Sequence, residues 1–150
     1  MKSTLLAALL LVVITSLAGC AANGLSRAAV NGDLQEVKER VSKGEPVNEI
    51  DRWGWTPLMW SVYYGNFPVT EHLLASGADP NIKTEREYGN YLPGTTALIL
   101  AAAYGHDDAV AALLKKHADP NVVDKKGKKA IDYAQEYNFE KCVALLKGKR

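Results

Sequence analysis

Residues that usually carry catalysis or bind metals are scarce in this chain of 150 residues. None of the three histidines, His72, His106 and His117, has cysteine or carboxylate companions at the spacing of a metal site. No serine lies in a nucleophile-elbow pattern, and no glycine-rich phosphate loop is present. Glu85 and Glu87 would form a carboxylate pair only if their loop folded into a pocket. We therefore predict no enzymatic activity, no metal and no cofactor.

Long apolar runs are also rare, and the one clear case lies at the N-terminus, where residues 5–18 follow Lys2. A bilayer-spanning helix needs about 20 such residues, so this run is typical of a signal peptide. It ends in Leu17-Ala18-Gly19-Cys20, which resembles the lipobox of bacterial lipoproteins. The resemblance implies that residues 1–19 are removed and that Cys20 is lipidated as the first mature residue. The alternative is a secreted protein cut after Ala18, with Cys20 as a free thiol.

The lipobox resemblance also implies a cellular location. Ala21 follows the cysteine, whereas aspartate at that place often signals retention in the inner membrane among lipoproteins. The expected location is therefore the bacterial cell envelope, lipid-anchored at Cys20 to the outer membrane and facing the periplasm. Residues 20–24 form a short tether that reaches roughly 15 Å when extended, so the folded domain should lie near the membrane surface.

Two unrelated residue types recur with one common period. The spacing is 33 and then 40 residues for both sets, which are Gly32, Gly65 and Gly105, and Asn48, Asn81 and Asn121. The intervening stretches match as well, since Gly77-Ala78-Asp79-Pro80-Asn81 is echoed by His117-Ala118-Asp119-Pro120-Asn121. Composition cannot place two markers in register, so the sequence predicts a repeat protein.

A period of 33 with Thr56-Pro57-Leu58 at the start of a unit resembles the ankyrin repeat, in which each unit is a β-turn and two helices. The resemblance covers residues 25–150 and implies an all-α solenoid of about four helix-turn-helix units with short β-turn fingers. The units span about residues 25–50, 51–83, 84–123 and 124–150, and the first and last are atypical. Stacking supplies the core, because one unit cannot bury its own apolar face.

Several markers have a local physical reason. Thr56 and Thr96 can cap a helix, and Pro57 suits the first helical position. Gly65 and Gly105 should end the first helices in the left-handed conformation. Gly44 and Gly77 should adopt the same conformation after the second helices. His117 takes this place in the third unit, where a residue other than glycine would be mildly strained. Cys142 aligns with apolar positions of the second helices and is expected to be a small core residue rather than a reactive thiol.

The longer second interval places an insertion between units two and three. Asn48 to Gly54 and Asn121 to Gly127 are each six residues apart, but Asn81 to Gly94 is thirteen. Seven extra residues therefore lie within residues 82–93, in a finger with two tyrosines and mixed charge. Insertions in repeat proteins map to loops and often to the binding face, although an idle insertion is the alternative.

The resemblance implies that a partner binds the concave surface lined by fingers and first helices. Tryptophan, tyrosine and arginine are enriched at binding hot spots. The predicted partner-binding residues are Arg52, Trp53, Trp55, Tyr63, Tyr64, Lys83, Tyr88, Tyr91 and Tyr104. Tyr137 matches Tyr64 and Tyr104 by repeat position. The alternative is that Trp53 and Trp55 pack on neighbouring fingers, with Trp60 and Phe67 in the core.

The net charge of +1 conceals an asymmetry. Residues 21–110 carry twelve acids and seven bases, whereas residues 111–150 carry five acids and ten bases. A charged outer face for solubility is one interpretation, and docking on anionic lipid or an acidic partner is the other. Nucleic acid is a poor candidate partner for an exported protein.

We thus predict a membrane-anchored, monomeric ankyrin-like protein that binds a protein partner as a non-catalytic scaffold or accessory factor. The alternative is an immunity-type inhibitor lipoprotein that neutralises a toxin or enzyme. A small-molecule role has no pocket to support it in the sequence.

Overall fold

The computed structural model describes residues 24–91 and 93–148, which form an all-α stack of helix-turn-helix pairs. The predicted fold class is confirmed. The first pair is α1 (Gly24–Asn31) and α2 (Leu34–Ser42), the second α3 (Pro57–Tyr63) and α4 (Phe67–Ala75), the third α5 (Ala97–Tyr104) and α6 (Asp107–Lys115), and the fourth α7 (Ala130–Glu136) and α8 (Glu140–Lys147). The predicted signal peptide, Cys20 and most of the predicted tether lie outside the described residues.

The helices form two layers. Each first helix (α1, α3, α5, α7) contacts the first helix of the neighbouring units, and the second helices (α2, α4, α6, α8) contact one another in the same order. Apolar side chains between the layers are fully buried, among them Leu58, Leu73, Leu98 and Leu113. Cys142 belongs to this core, as predicted, and its thiol donates to Asp107 Oδ1 at 3.2 Å.

The predicted helix starts are present. The hydroxyl oxygen of Thr56 accepts from the backbone N–H of Met59 at 3.2 Å, and Thr96 accepts from Ile99 at 3.4 Å. Each bond satisfies one of the free N–H groups at a helix N-terminus. The fourth unit has Lys129 at this place, and there the Asp132 carboxylate accepts from the Lys129 N–H at 2.7 Å.

Glycine follows the first helix for two reasons. Gly105 adopts φ 69, and a Cβ atom there would lie 2.6 Å from the Phe139 ring. The same overlap recurs along the stack: Asn66 lies over Gly32, His106 over Gly65 and Phe139 over Gly105. Asn138 occupies the equivalent place in the fourth unit with φ 59, and no later unit of the described chain packs on it.

The periodic asparagines connect consecutive fingers. The Asn48 side chain accepts from the backbone N–H of Asp79 at 2.8 Å and donates to the carbonyl of Gly77. Asn81 makes the same two bonds one unit later, to Asp119 and to His117. The spacing of these residues therefore reflects hydrogen bonds between units.

Candidate functional site

The second finger is organised around the carboxylate of Asp51. Its Oδ1 accepts from the backbone N–H groups of Trp53 at 2.9 Å and Trp55 at 3.1 Å. Its Oδ2 accepts from the indole N–H of Trp60 at 2.6 Å. One acidic side chain thus fixes the finger backbone and an indole ring of α3 relative to each other.

The expected exposure of Trp55 was wrong. Trp55 is 0% exposed and Trp60 is 3% exposed, with their ring centroids 4.6 Å apart. No hydrogen-bond partner for the Trp55 indole N–H occurs among the described residues. Trp55 is therefore a structural residue and cannot contact a partner in this conformation. Much of its cover comes from the insertion.

The insertion folds back over the second unit. Its closing bond, from the Thr84 N–H to the Thr95 carbonyl at 2.9 Å, matches the bond from Asp51 to Trp55. Ten residues lie between the bonded pair instead of three, so the extra residues lie between 85 and 94. Within them Tyr88 and Tyr91 pair as a two-residue hairpin, with Gly89 at φ 58 as a type II′ turn requires.

Both tyrosines of the hairpin pack on the buried indoles. Tyr88 lies 5.1 Å from Trp55 and 5.0 Å from Trp60 between ring centroids, and Tyr91 lies 6.0 Å from Trp55. Edge-to-face pairs of this kind add about 0.5–1.5 kcal/mol each beyond area burial. The structure thus gives Tyr88 and Tyr91 a covering role that the sequence did not predict, and both are only partly accessible.

Arg52 and Trp53 of the second finger lie at the edge of the packed aromatic rings. Trp53 is half-buried and stands edge-on to Trp60 at 5.9 Å, while the Arg52 guanidinium lies 4.0 Å from the Trp53 ring centroid. Arg86 of the insertion donates to the carbonyl of Arg52 at 2.8 Å and ties the two fingers together. Arg52 and Lys83 are exposed. We call Trp53, Trp55, Trp60, Tyr63, Tyr88 and Tyr91 the aromatic cluster.

Three tyrosines stand exposed at one repeat position. Tyr64 is 50%, Tyr104 39% and Tyr137 53% exposed, and each lies at the C-terminal end of a first helix. We call these three residues the tyrosine row. Two of its members rest on the aromatic cluster, since Tyr64 stacks on Trp60 at 6.2 Å and Tyr104 lies 5.1 Å from Tyr63. Tyr137 lies 6.3 Å from Phe139.

The phenols near the row are neutral hydrogen-bonding groups. A hydrogen bond with Tyr104, together with burial, raises the pKa of Tyr63 above its ordinary value. Burial, and then a hydrogen bond with Tyr104, raises the pKa of Tyr91 strongly. Neutral phenols can donate to a partner and offer apolar ring faces, which suits recognition more than proton transfer.

A cleft adjoins the row between the insertion and the fourth finger. Its volume is about 620 Å³. Its lining residues are Gly89, Asn90, Tyr91, Ala103, Tyr104, Lys126, Tyr133 and Tyr137. The sequence did not single out Asn90, Lys126 or Tyr133, because only the folded insertion brings the hairpin next to the fourth finger. Of the other lining residues, Tyr91 and Tyr104 were predicted to bind a partner, and Tyr137 was matched to Tyr104 by repeat position.

Other features of the described residues add no chemistry to this face. A groove of about 720 Å³ lies between α6 and α8 in the layer of second helices, and it includes Asp108, Leu114 and Lys141. No group of three or more histidine, cysteine or acidic residues in residues 24–91 and 93–148 could hold a metal ion. No helix of the same residues is long and apolar enough to cross a bilayer.

The repeat geometry agrees with a comparison to protein families. The family model described as "Ankyrin repeats (3 copies)" matches residues 5–84 and 85–150. The chain belongs to the ankyrin repeat family. Ankyrin repeat domains are typically non-catalytic modules that mediate protein–protein interactions.

Two kinds of relative illustrate the breadth of the family. The chain is 29% identical over 124 residues to "Ankyrin repeat, SAM and basic leucine zipper domain-containing protein 1" of Microcebus murinus, a match that covers 80% of this chain and 24% of the relative. It is 31% identical over 123 residues to the "Putative ankyrin repeat-containing protein" of Treponema pallidum, covering 81% of this chain and 39% of the relative. The ankyrin chain thus spans well under half the length of either protein.

Proposed function

We propose that this ankyrin protein is a lipid-anchored, non-catalytic binding protein of the bacterial cell envelope, which recognises a protein partner through the tyrosine row. The observation that carries the proposal is the repetition of an exposed tyrosine at one position in three successive units. Tyr64, Tyr104 and Tyr137 are among the few large apolar side chains that are exposed in the described part of the chain. Stacking of the repeats does not require their exposure.

The support beneath the row favours recognition. Tyrosine offers a large, stiff contact surface at low entropic cost, and it is common at binding hot spots. Here the rings of Tyr64 and Tyr104 already contact Trp60 and Tyr63, respectively. A ligand therefore meets side chains that are largely ordered before binding, which reduces the entropy lost on association.

The burial of the indoles narrows the predicted binding surface. Trp55 drops out of the predicted surface, while Arg52 and Trp53 remain accessible on the second finger and Tyr91 lies beside Tyr104. Lys83 is exposed on the third finger. Tyr63 and Tyr88 act mainly as support. A partner would thus contact the row first and the accessible residues beside it second.

The anchor rests on the sequence. Leu17-Ala18-Gly19-Cys20 with the preceding apolar run supports lipidation at Cys20. The first helix begins at Gly24, so the stack would lie close to the membrane surface. Intact-mass measurement of the protein from the membrane fraction tests this: we expect a chain that begins at Cys20 and carries acyl mass, and an unmodified chain would contradict the anchor.

Binding through the row is tested by affinity capture from solubilised membranes of the native host. The full-length protein is compared with a variant in which Tyr64, Tyr104 and Tyr137 are serine, and with a control in which the exposed second-helix residues Lys38, Glu71 and Lys115 are serine. We expect one protein to be captured by the wild type and the control and to be lost with the tyrosine variant. Recovery by all three baits would contradict the proposal.

The same three proteins need an unfolding measurement. The tyrosines are about half exposed, so the triple change should lower the free energy of unfolding by roughly 1–3 kcal/mol and leave the domain folded. Loss of capture with a cooperative unfolding transition retained would assign the effect to the surface.

A further inference from the structure

The cleft beside the tyrosine row combines two surfaces of different character. The hairpin turn at Gly89 and Asn90 with the ring of Tyr91 forms one wall, and Lys126 of the fourth finger lies on the other. Ala103 and Tyr133 are nearly buried and lie at its base. Its volume, about 620 Å³, is in the range of sites that enclose a ligand segment.

The two walls are fixed relative to each other. The backbone N–H of Lys125 donates to the carbonyl of Pro93 at 3.0 Å, which joins the end of the insertion to the fourth finger. The fingers also approach closely at Gly94, where a Cβ atom would lie 3.1 Å from the Cα of Asp124. The cleft is therefore formed before any ligand arrives.

The cleft has a surplus of positive charge. Lys125 and Lys126 are exposed and form no ion pair within the described residues. Two acids of the fourth unit are already engaged: Asp124 accepts from the backbone N–H groups of Lys126 and Lys128 and from the Tyr133 hydroxyl, and Glu136 pairs with Lys128. Lys126 is thus the one charged residue among those that line the cleft, where it lies with four tyrosines, and Lys125 precedes it in the chain.

We infer that this cleft binds an acidic segment of the partner protein, with a carboxylate at Lys126 and an adjacent apolar or aromatic side chain against Tyr104 and Tyr137. The inference rests on the proposed binding function and specifies its ligand. The charge of Lys126 selects carboxylates at the cleft, while the row continues the apolar contact toward Tyr64. An extended chain satisfies both, because Tyr104 and Tyr137 of the row line the cleft and Tyr64 continues the row in the second unit.

The test is the selection of a random twelve-residue peptide library on the immobilised full-length protein. We expect the recovered peptides to be enriched in aspartate and glutamate, and a fluorescent copy of one of them to bind in an anisotropy titration. The double change Lys125→Glu and Lys126→Glu should weaken its affinity at least about tenfold, and added salt should weaken it further. The control Lys115→Glu with Lys116→Glu makes the same charge change on the second-helix layer and should alter affinity less than about twofold.

The outcomes separate the inference from the function on which it rests. Peptides without acidic enrichment, or equal loss with the two lysine pairs, would overturn the acidic ligand. Binding to phosphatidylglycerol vesicles that depends on Lys125 and Lys126, in the absence of peptide binding, would overturn it in favour of a lipid surface. If Tyr104→Ser removes peptide binding and the Lys125 and Lys126 changes do not, the tyrosine row remains a binding surface and only the acidic ligand is wrong.

Discussion

The second and fourth fingers share one hydrogen-bonding pattern and carry different side chains on it. Asp51 and Asp124 each accept from the backbone N–H groups two and four residues later. Each also accepts from a ring donor on the following first helix, the Trp60 indole in one case and the Tyr133 hydroxyl in the other. Four residues after the acid, however, the second finger has a fully buried Trp55 and the fourth has Lys128, whose ammonium pairs with Glu136.

The backbone hydrogen bonds of a finger and the burial of its side chains therefore depend on different residues. The acid at the start of the finger and the donor on the helix define the backbone in both units. Whether the side chain four residues later is structural depends on the neighbouring finger. The insertion covers Trp55, whereas Lys128 remains partly exposed beside the cleft.

Alanine substitution four residues after the acid should give the largest difference in stability between the two fingers. Trp55→Ala removes a fully buried indole from the aromatic cluster and should lower the free energy of unfolding by about 3–5 kcal/mol. Lys128→Ala removes a partly exposed ion pair and should cost about 0–1 kcal/mol. Urea unfolding followed by far-ultraviolet circular dichroism measures both. Equal losses would mean that Trp55 is not the structural residue that its burial indicates.

Removal of the shared acid should affect both fingers alike. Asp51→Ala and Asp124→Ala each abolish three hydrogen bonds to a carboxylate and should each cost about 2–3 kcal/mol. In the third unit Thr84 takes the place of the acid, and its hydroxyl oxygen accepts from the Thr95 N–H. Leu100 takes the place of the ring donor there, so a hydroxyl suffices to accept the backbone bond. Unfolding midpoints with urea give the comparison, and a loss below about 1 kcal/mol at either acid would refute its organising role.

Shortening the insertion should make the second finger resemble the fourth, because Trp55 would lose the tyrosines that cover it. If residues 85–91 are removed, the finger closes with three residues, as at Asp51 and Trp55. Trp55 then loses Tyr88 and Tyr91, and we expect a loss of about 1–2 kcal/mol and a red shift of tryptophan fluorescence. Unchanged emission would show that the insertion does not exclude water from the indoles. A matched deletion is impossible in the fourth finger, so Tyr88→Ala with Tyr91→Ala is the control for shortening itself.

The smallest expected effect concerns the residue that lies over the turn glycine. Asn66 holds this place in the second unit and Phe139 in the fourth, neither of which titrates, but His106 holds it in the third. Burial lowers the pKa of His106 below its ordinary value, and nearby Asp107 offsets part of the effect. The unfolded chain therefore binds the proton more readily, so stability is full above about pH 6.5 and is lost as pH falls below it.

His106→Phe should remove this pH dependence. Between pH 7.5 and pH 5.5 the free energy of unfolding should fall further in the wild type than in the variant, and the difference between the two losses should be under about 1 kcal/mol. Thermal melts at the two pH values measure the difference, and the variant corrects for all other titrating groups. A variant that loses as much stability as the wild type would assign the pH dependence elsewhere.

The periodic parts of the fold could be predicted because each marker satisfies a local requirement. Thr56 caps a helix, Gly65 adopts a left-handed turn and Asn81 connects two fingers, and the same roles recur at Thr96, Gly105 and Asn48. Packing of Trp55 on a neighbouring finger was the alternative to its exposure, and the repeat pattern could not decide between the two. Part of its cover comes from Tyr88 and Tyr91, in an insertion that occurs once, so alignment with Thr95 and Lys128 carries no information about it.

The cleft was unpredictable for a related reason. Lys126 belongs to a run of lysines that reads as a charged outer surface, and nothing in its spacing connects it to Tyr91. The contact arises because Pro93, at the end of the insertion, accepts a hydrogen bond from Lys125. Tyr104 and Tyr64 were within reach of the sequence because they repeat at one position.

Site-specific photo-crosslinking in the native host tests directly whether a partner protein binds the tyrosine row. A benzophenone amino acid replaces Tyr104 in the exposed row or, as the matched control, the exposed Lys115 at the end of α6. We expect a covalent adduct with one envelope protein from the Tyr104 position and none from the Lys115 position. An adduct from Lys115 alone, or no adduct from any position of the tyrosine row, would contradict it.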